Sequence, residues 1–298
     1  MSDEDAAEGR RFGNYVVHEL LGTSGGARVY RAHQLSMDRI VTLTILPRAL
    51  ADRPALRTRF ERQVAAASKL RHDNILSALD AGSVGGHQYI AAEYVGGRRL
   101  AALLAAGEWF GVRRALGIAR DVARALEHVD SVGLLHRNVT PQTILLADSG
   151  VVKLRGFSFA RPHRAEKNET WFEPDDAAAP YRAPDWITQR TLDVRADTYA
   201  LGCVLYELLT GRPPFGGGRS AELMDRHVNE PVPDVRTRRA DTPEPVARVL
   251  ARMLEKDRDR RHPTPAALVA ELTALAEGAA SAPAAPAAPR PSLFRRRR

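Results

Sequence analysis

Between Tyr15 and Tyr94 apolar and polar positions alternate in short runs. "YVVHELLG", "ARVYRAH" and "RIVTLTILP" read as strands separated by glycine or polar turns. An amphipathic helix is expected around residues 55 to 70, followed by two more strands, "ILSALDAG" and "HQYIAAEYV". After Gly97 the period lengthens to that of helices rich in Leu and Ala: "LAALLAAGEWFGVRRALGIARDVARALEHVDSVG", "RADTYALGCVLYELLTG", "VARVLARMLEKD" and "AALVAELTALAEG". Between the first and second of these helical runs "ILLADSGVVKL" reads as a hairpin, and its Asp-Ser-Gly turn accounts for Asp148 without a catalytic role. The pattern is α+β, a small sheet carrying one main helix and then a larger helical region. Beyond Gly278, "AASAPAAPAAPRPSLFRRRR" is an Ala/Pro linker ending in four arginines.

Composition narrows the function classes. Of the 298 residues, 44% are hydrophobic, enough for a substantial core, yet no apolar run approaches the ~18 to 20 residues of a membrane span. A soluble, cytoplasmic chain without a secretory signal is the expectation. Cys203 is the one cysteine and sits in "YALGCVLYELL", which predicts a small buried hydrophobe and excludes a disulfide within the chain. The nine histidines form no H-E-x-x-H pair, so no metal is assigned. The net charge is +8, but Arg290 and Arg295 to Arg298 against Glu277 concentrate half of it in the tail. The remaining body is only mildly basic, and no nucleic-acid partner is expected. Lysine is confined to Lys69, Lys153, Lys167 and Lys256.

Eight landmarks occur in order: "LGTSGGARVY", "RIVTLTIL", "LRHDNIL", "AAEYVGG", "LLHRNVTPQTILL", "VKLRGFSFAR", "YRAPD" and "DVRADTYALGCVLYELLTGRPPF". Together they resemble the bacterial eukaryotic-like (Hanks-type) Ser/Thr protein kinases. The resemblance implies a bilobal kinase-like fold over residues 14 to 276, with an N-lobe at 14 to 95 and a C-lobe at 98 to 276. A polar extension, 1 to 13, and a tail, 277 to 298, flank it.

Carried over position by position, the resemblance exposes replaced chemistry. The phosphate-gripping lysine of the strand "VTLTIL" is Thr44, and its acidic partner, nine residues before His72, is Gln63. Glu61, two residues away, belongs to a different helix face. The catalytic base is Asn138, the loop lysine is Thr140, and the two metal ligands are Thr143 and Gly156. No lysine precedes Lys69, and Arg28 is expected to face away from a nucleotide. In the glycine-rich loop, Ser24 and Ala27 stand where the second and third glycines belong. The nucleotide pocket maps to Gly22, Gly25, Val29, Thr42, Ala92, Glu93, Val95 and Leu145, with Thr42 expected to crowd the base. Architectural positions survive: His136 and Phe157 for stacking, Arg137, Asp197 as acceptor for the loop backbone, Pro184, and Asp185 with Arg261 as an ion pair. That pair is expected to be looser than one made by glutamate.

From these substitutions the sequence leads to the expectation of a catalytically inactive kinase-like domain, not an enzyme, acting as a regulatory or scaffolding module. ATP binding is expected to be absent or weak and magnesium absent. A noncatalytic ATP-binding switch and an atypical Ser/Thr kinase or other ATP-dependent transferase are the alternatives. The expected partner is a protein, either an active kinase or another signalling protein. Ser158, Thr170, Trp171 and Phe172 fall in the segment that would be regulated, and Arg137 is expected to contact Asp175 or Asp176. Arg295 to Arg298 would give weak contact with an anionic membrane, at ~1 kcal/mol per residue. Prolines 283, 286, 289 and 291 mark an extended spacer.

Overall fold

The computed structural model describes residues 9–24, 26–48, 52–157, 160–162, 176–188 and 192–278. Six antiparallel strands form the N-terminal sheet: β1 (Arg11–Phe12), β2 (Tyr15–Ser24), β3 (Ala27–Gln34), β4 (Arg39–Leu46), β5 (Ala78–Val84) and β6 (His87–Glu93). Their spatial order is β1-β2-β3-β4-β6-β5. The period-two alternation seen in the sequence buries one side against Phe12, Tyr15, Val17, Tyr30, Val41 and Leu43. Two phenols on this face share one acceptor: Tyr15 and Tyr89 donate to Asp80 Oδ2 at 2.5 and 3.0 Å. Helix α1 (Pro54–Ala67) covers the opposite face, where Phe60 packs with Leu46 and Ile90. One boundary moves. The polar extension predicted to end at residue 13 includes β1, because Phe12, apolar in a charged run, is 1% exposed and draws its neighbours into the sheet.

The C-terminal lobe is helical: α2 (Leu100–Ala105), α3 (Val112–Ser131), α4 (Pro184–Ile187), α5 (Val194–Thr210), α6 (Ser220–Asn229), α7 (Glu244–Met253) and α8 (Pro265–Gly278). The run read as one helical repeat after Gly97 is two helices, because Gly107 at φ +74° ends the first with a turn. Helix α5 is the axis of this lobe. Asp193 caps it by accepting from the Arg195 amide, and Gly211 ends it in the left-handed conformation at φ +76°. Most of its side chains are buried, Cys203 among them, and burial holds that thiol in its protonated form. Helix α8 runs to Gly278, two residues past the expected domain end at 276.

Between the lobes lies a three-stranded sheet of β7 (Gly97–Arg99), β9 (Ile144–Ala147) and β10 (Val152–Leu154). Two short strands, β8 (Leu134–Leu135) and β11 (Arg161–Pro162), pair beside it. The β9–β10 hairpin forms where the Asp-Ser-Gly turn predicts it. Gly97 is required at the crossing: at φ +152°, a Cβ there would lie 2.3 Å from the Leu146 carbonyl oxygen.

The Asp185–Arg261 pair is tight despite the shorter acid. Arg261 Nη1 donates to Asp185 Oδ2 at 2.7 Å, while its remaining donors reach the carbonyls of Glu255, Lys256 and Arg195 at 2.7 to 3.1 Å. The guanidinium also lies over Tyr199, 5.0 Å from the ring centre. Four of the five N–H donors of this fully buried cation are therefore engaged. Asp185→Ala should destabilise the fold by about 3 to 5 kcal/mol, read from the urea midpoint, because Arg261 would lose its counter-charge in the interior.

Two buried histidines make stability depend on pH. Burial pushes His136 and His227 each down to about 4, so both are neutral in the fold and charged when unfolded below about 6.5. Their contribution is present above that value and lost as pH falls towards 4. Asp197, pushed up to about 6 by burial, acts oppositely below 6. Between pH 7 and 5 the histidines dominate, and the domain should lose on the order of 2 kcal/mol, seen as a lower urea midpoint. A midpoint independent of pH over this range contradicts the assignment.

Candidate functional site

The loop from His136 to Thr143 is held by a single buried carboxylate. Asp197, in the first turn of α5 and 3% exposed, accepts from the His136 amide through Oδ2 and from the Arg137 amide through Oδ1, both at 2.8 Å. Burial raises its pKa to about 6 although the two amides pull it down. Arg137 adopts φ +66°, a left-handed conformation that costs a non-glycine residue ~1 kcal/mol or more. The two bonds to Asp197 fix it there. The Arg137 guanidinium stacks on Trp186 at 4.7 Å, with Arg182 at 4.6 Å from the same ring.

His136 carries the constraint onward. Its Nδ1 accepts from the Asn138 amide at 3.2 Å, so the ring proton is on Nε2, which donates to the Arg155 carbonyl at 3.0 Å. The ring meets Phe157 edge to face, with centroids 4.7 Å apart. These contacts place the backbone on either side of Gly156.

The positions singled out for replaced chemistry serve packing and loop closure here. The Thr143 hydroxyl accepts from the Thr140 amide at 3.0 Å and donates towards the Asn138 and Thr140 carbonyls at 2.9 and 3.0 Å. Gly156 stands at φ +87°, and a Cβ there would lie 2.8 Å from Thr143 Cγ2. Positions 143 and 156 are thus matched: the branched threonine fills the space a side chain at 156 would take. Thr140 is 5% exposed and faces inward. Thr44 lies on β4 opposite Val29 and Ile90, and Gln63 is half-buried on α1. Glu61 is exposed and 3.7 Å from Arg57, on the other helix face as expected. Among the described residues no cluster of three His, Cys, Asp or Glu side chains could hold a metal. Positions 143 and 156, Thr and Gly, offer magnesium no carboxylate.

Above this loop is a cleft of about 190 Å³ lined by Leu21, Val29, Thr42, Leu76, Tyr94, Val95, Gly97, Arg99, Leu145 and Arg155. It unites four of the predicted pocket residues, Val29, Thr42, Val95 and Leu145. Gly22, Ala92 and Glu93 do not line it. Glu93 turns instead to the Ser77 amide at 2.9 Å and the Lys153 ammonium at 2.8 Å, tying the hinge to β10. The sequence reading missed the two arginines. Arg155 stands immediately before Gly156, and a long cation beside a lost acid was the signal available. Burial and the neighbouring Arg99 bring Arg155 down to about 10, so it stays charged at neutral pH. Apolar walls at Val29 and Leu145 suit the faces of an aromatic base, and the guanidiniums suit phosphate, so an adenine nucleotide fits the lining.

Gly25, Ser158, Thr170, Trp171, Phe172, Asp175 and the tail with Arg295 to Arg298 lie outside the described residues, as does the side chain of Asp176. No helix among the described residues is long and apolar enough to cross a membrane.

The profile described as the protein kinase domain matches residues 15–272. Serine/threonine-protein kinase PknB of Mycolicibacterium smegmatis is 35% identical over 272 residues, 89% of this chain and 43% of the relative. PknE of Mycobacterium tuberculosis is 32% identical over 260 residues, 87% of this chain and 46% of the relative. The DNA damage-responsive kinase RqkA of Deinococcus radiodurans is 35% identical over 267 residues, 89% and 40%. The crystal structure of the Mycobacterium tuberculosis PknI kinase domain superposes with a TM-score of 0.70 at 26% identity, covering 90% of this chain and 98% of that one. The chain spans less than half the length of these curated relatives. Two expectations are corrected by them. The reading as no enzyme, and that of absent or weak ATP binding without magnesium, rested on single positions; relatives matched along almost the whole domain are named serine/threonine-protein kinases, a class that uses both. By profile, by sequence identity and by fold, the chain belongs to the protein kinase domain family.

Proposed function

We propose that the domain is an atypical, slow Ser/Thr protein kinase that takes ATP in the cleft between the lobes and transfers its γ-phosphoryl group to a protein hydroxyl. The observation that carries this reading is the Asp197 clamp, which holds the loop around Asn138 in a fixed shape. Phosphoryl transfer passes through a loose transition state, so positioning and electrostatics contribute more than covalent chemistry.

ATP supplies the phosphoryl group; the chain's residues position it. Val29 and Leu145 flank the base, and Val95 presents the hinge. The Asn138 amide can hydrogen-bond and orient the acceptor hydroxyl but cannot take its proton, which passes to an oxygen of the transferred phosphoryl group or to water as the hydroxyl oxygen bonds to phosphorus and ADP leaves. A positioned base is worth ~10² to 10⁴ in rate, so turnover should fall well below the ~1 to 100 s⁻¹ of typical protein kinases. A protein partner, as substrate or regulator, is part of this proposal.

Transfer of label from γ-labelled ATP in the presence of Mg²⁺, onto the chain itself or a generic protein, is the test. Slow incorporation should be abolished in Asp197→Ala and raised about 10²-fold in Asn138→Asp, which restores a base at the oriented position. Incorporation indistinguishable from the Asp197→Ala control, in both wild type and Asn138→Asp, would overturn the proposal.

A further inference from the structure

The cleft carries two positive charges that its neighbouring strands do not use. Arg99 ends β7 and Arg155 directly follows β10, with β9 between them; Leu145 of β9 is registered against Arg99 on one side and Lys153 on the other. Both guanidinium-bearing side chains line the same cavity as Val29, Thr42 and Leu145. Glu93 at the end of β6 is engaged by Lys153 at 2.8 Å and by the Ser77 amide at 2.9 Å. Neither Arg99 nor Arg155 makes an ion pair or a side-chain hydrogen bond among the described residues.

Two like charges in a half-buried cavity repel each other and lose hydration, and an anion between them relieves both costs. Guanidinium donors lie in a planar fork that matches the oxygens of a phosphoryl group, and arginine keeps its charge where lysine can lose it. From the six-stranded sheet the cavity is lined by Leu21, Val29 and Thr42, none of them a cation. The positive charge of this cleft is therefore displaced from the six-stranded sheet to the three-stranded one.

We propose that Arg99 and Arg155 form a phosphoryl-binding subsite on the C-lobe side of the cleft, holding a phosphate of the bound nucleotide from the wall opposite Val29 and Thr42. This rests on the nucleotide reading above and gives it a location. A nucleotide held this way is drawn towards β7 and β10, with its charge neutralised away from β4.

Calorimetric titration of the full chain with ATP, ADP, adenosine and inorganic pyrophosphate, in wild type, Arg99→Gln, Arg155→Gln and Arg155→Lys, tests it. Wild type should bind ATP at least about tenfold more tightly than adenosine, the effect of one or two charge-assisted contacts. Either glutamine variant should erase most of that preference while leaving adenosine affinity within about twofold, and Arg155→Lys should restore part of it. Thermal unfolding of the variants without ligand checks that they are folded, and Arg99, at a strand end, gives the milder change. ATP affinity unchanged in both glutamine variants would overturn the subsite while leaving nucleotide binding standing. Pyrophosphate binding lost in those variants, with no binding of ATP or adenosine, would keep the subsite and overturn the nucleotide reading. No binding of any of the four would overturn both.

Discussion

The organising interaction of this domain is the buried carboxylate of Asp197 and the two backbone amides it accepts. Its own energetics are strained: burial lifts the pKa to about 6, so taking the charge out of water outweighs what the amides return. What is gained is geometry. With the His136 and Arg137 amides fixed at 2.8 Å, Arg137 is kept left-handed and the His136 ring is aimed at the Arg155 carbonyl. The Arg155 amide in turn donates to the Thr143 carbonyl at 2.9 Å. A chain of hydrogen bonds thus runs from the axis helix of the C-lobe, through the loop, to the wall of the cleft.

Along that chain the unusual residues are mutually adjusted. Thr143 closes the loop with its hydroxyl and leaves no room for a side chain at 156; Gly156 accepts this and adopts a conformation that suits glycine. Thr140 is turned inward. Arg155 brings charge into the cleft from the three-stranded sheet, while β4 contributes only the neutral Thr42 to its lining. These changes form one packed arrangement around the clamp, which is a different condition from independent damage at separate positions.

Much of the fold was legible in the sequence because its signals were local. Period-two alternation in "ARVYRAH" and "RIVTLTILP" gave β3 and β4, the Asp-Ser-Gly turn gave the β9–β10 hairpin, and the apolar run around Cys203 gave the buried axis helix. The Asp185–Arg261 pair was legible too, but its tightness was not: it depends on carbonyls of Glu255, Lys256 and Arg195 that converge only in three dimensions. Glu93 was assigned to the pocket by its place in the hinge, and the lysine that turns it away, Lys153, lies 60 positions along the chain. Arg99 and Arg155 escaped because the reading looked for expected groups at expected positions, and a cation supplied from elsewhere has no such position. The inference from missing groups to missing activity failed for the same reason, since it weighed residues one at a time while the relatives match the domain as a whole.

The central claim is that Asp197 holds the loop in a fixed shape, and amide hydrogen exchange at His136 and Arg137 tests it most directly. In the wild-type chain both amides should exchange only through openings nearly as costly as global unfolding; in Asp197→Ala they should exchange at least about 10²-fold faster, while amides in the middle of α5 stay within a few-fold of their wild-type rates after correction for global stability. Unchanged protection of the two loop amides in Asp197→Ala would contradict the account.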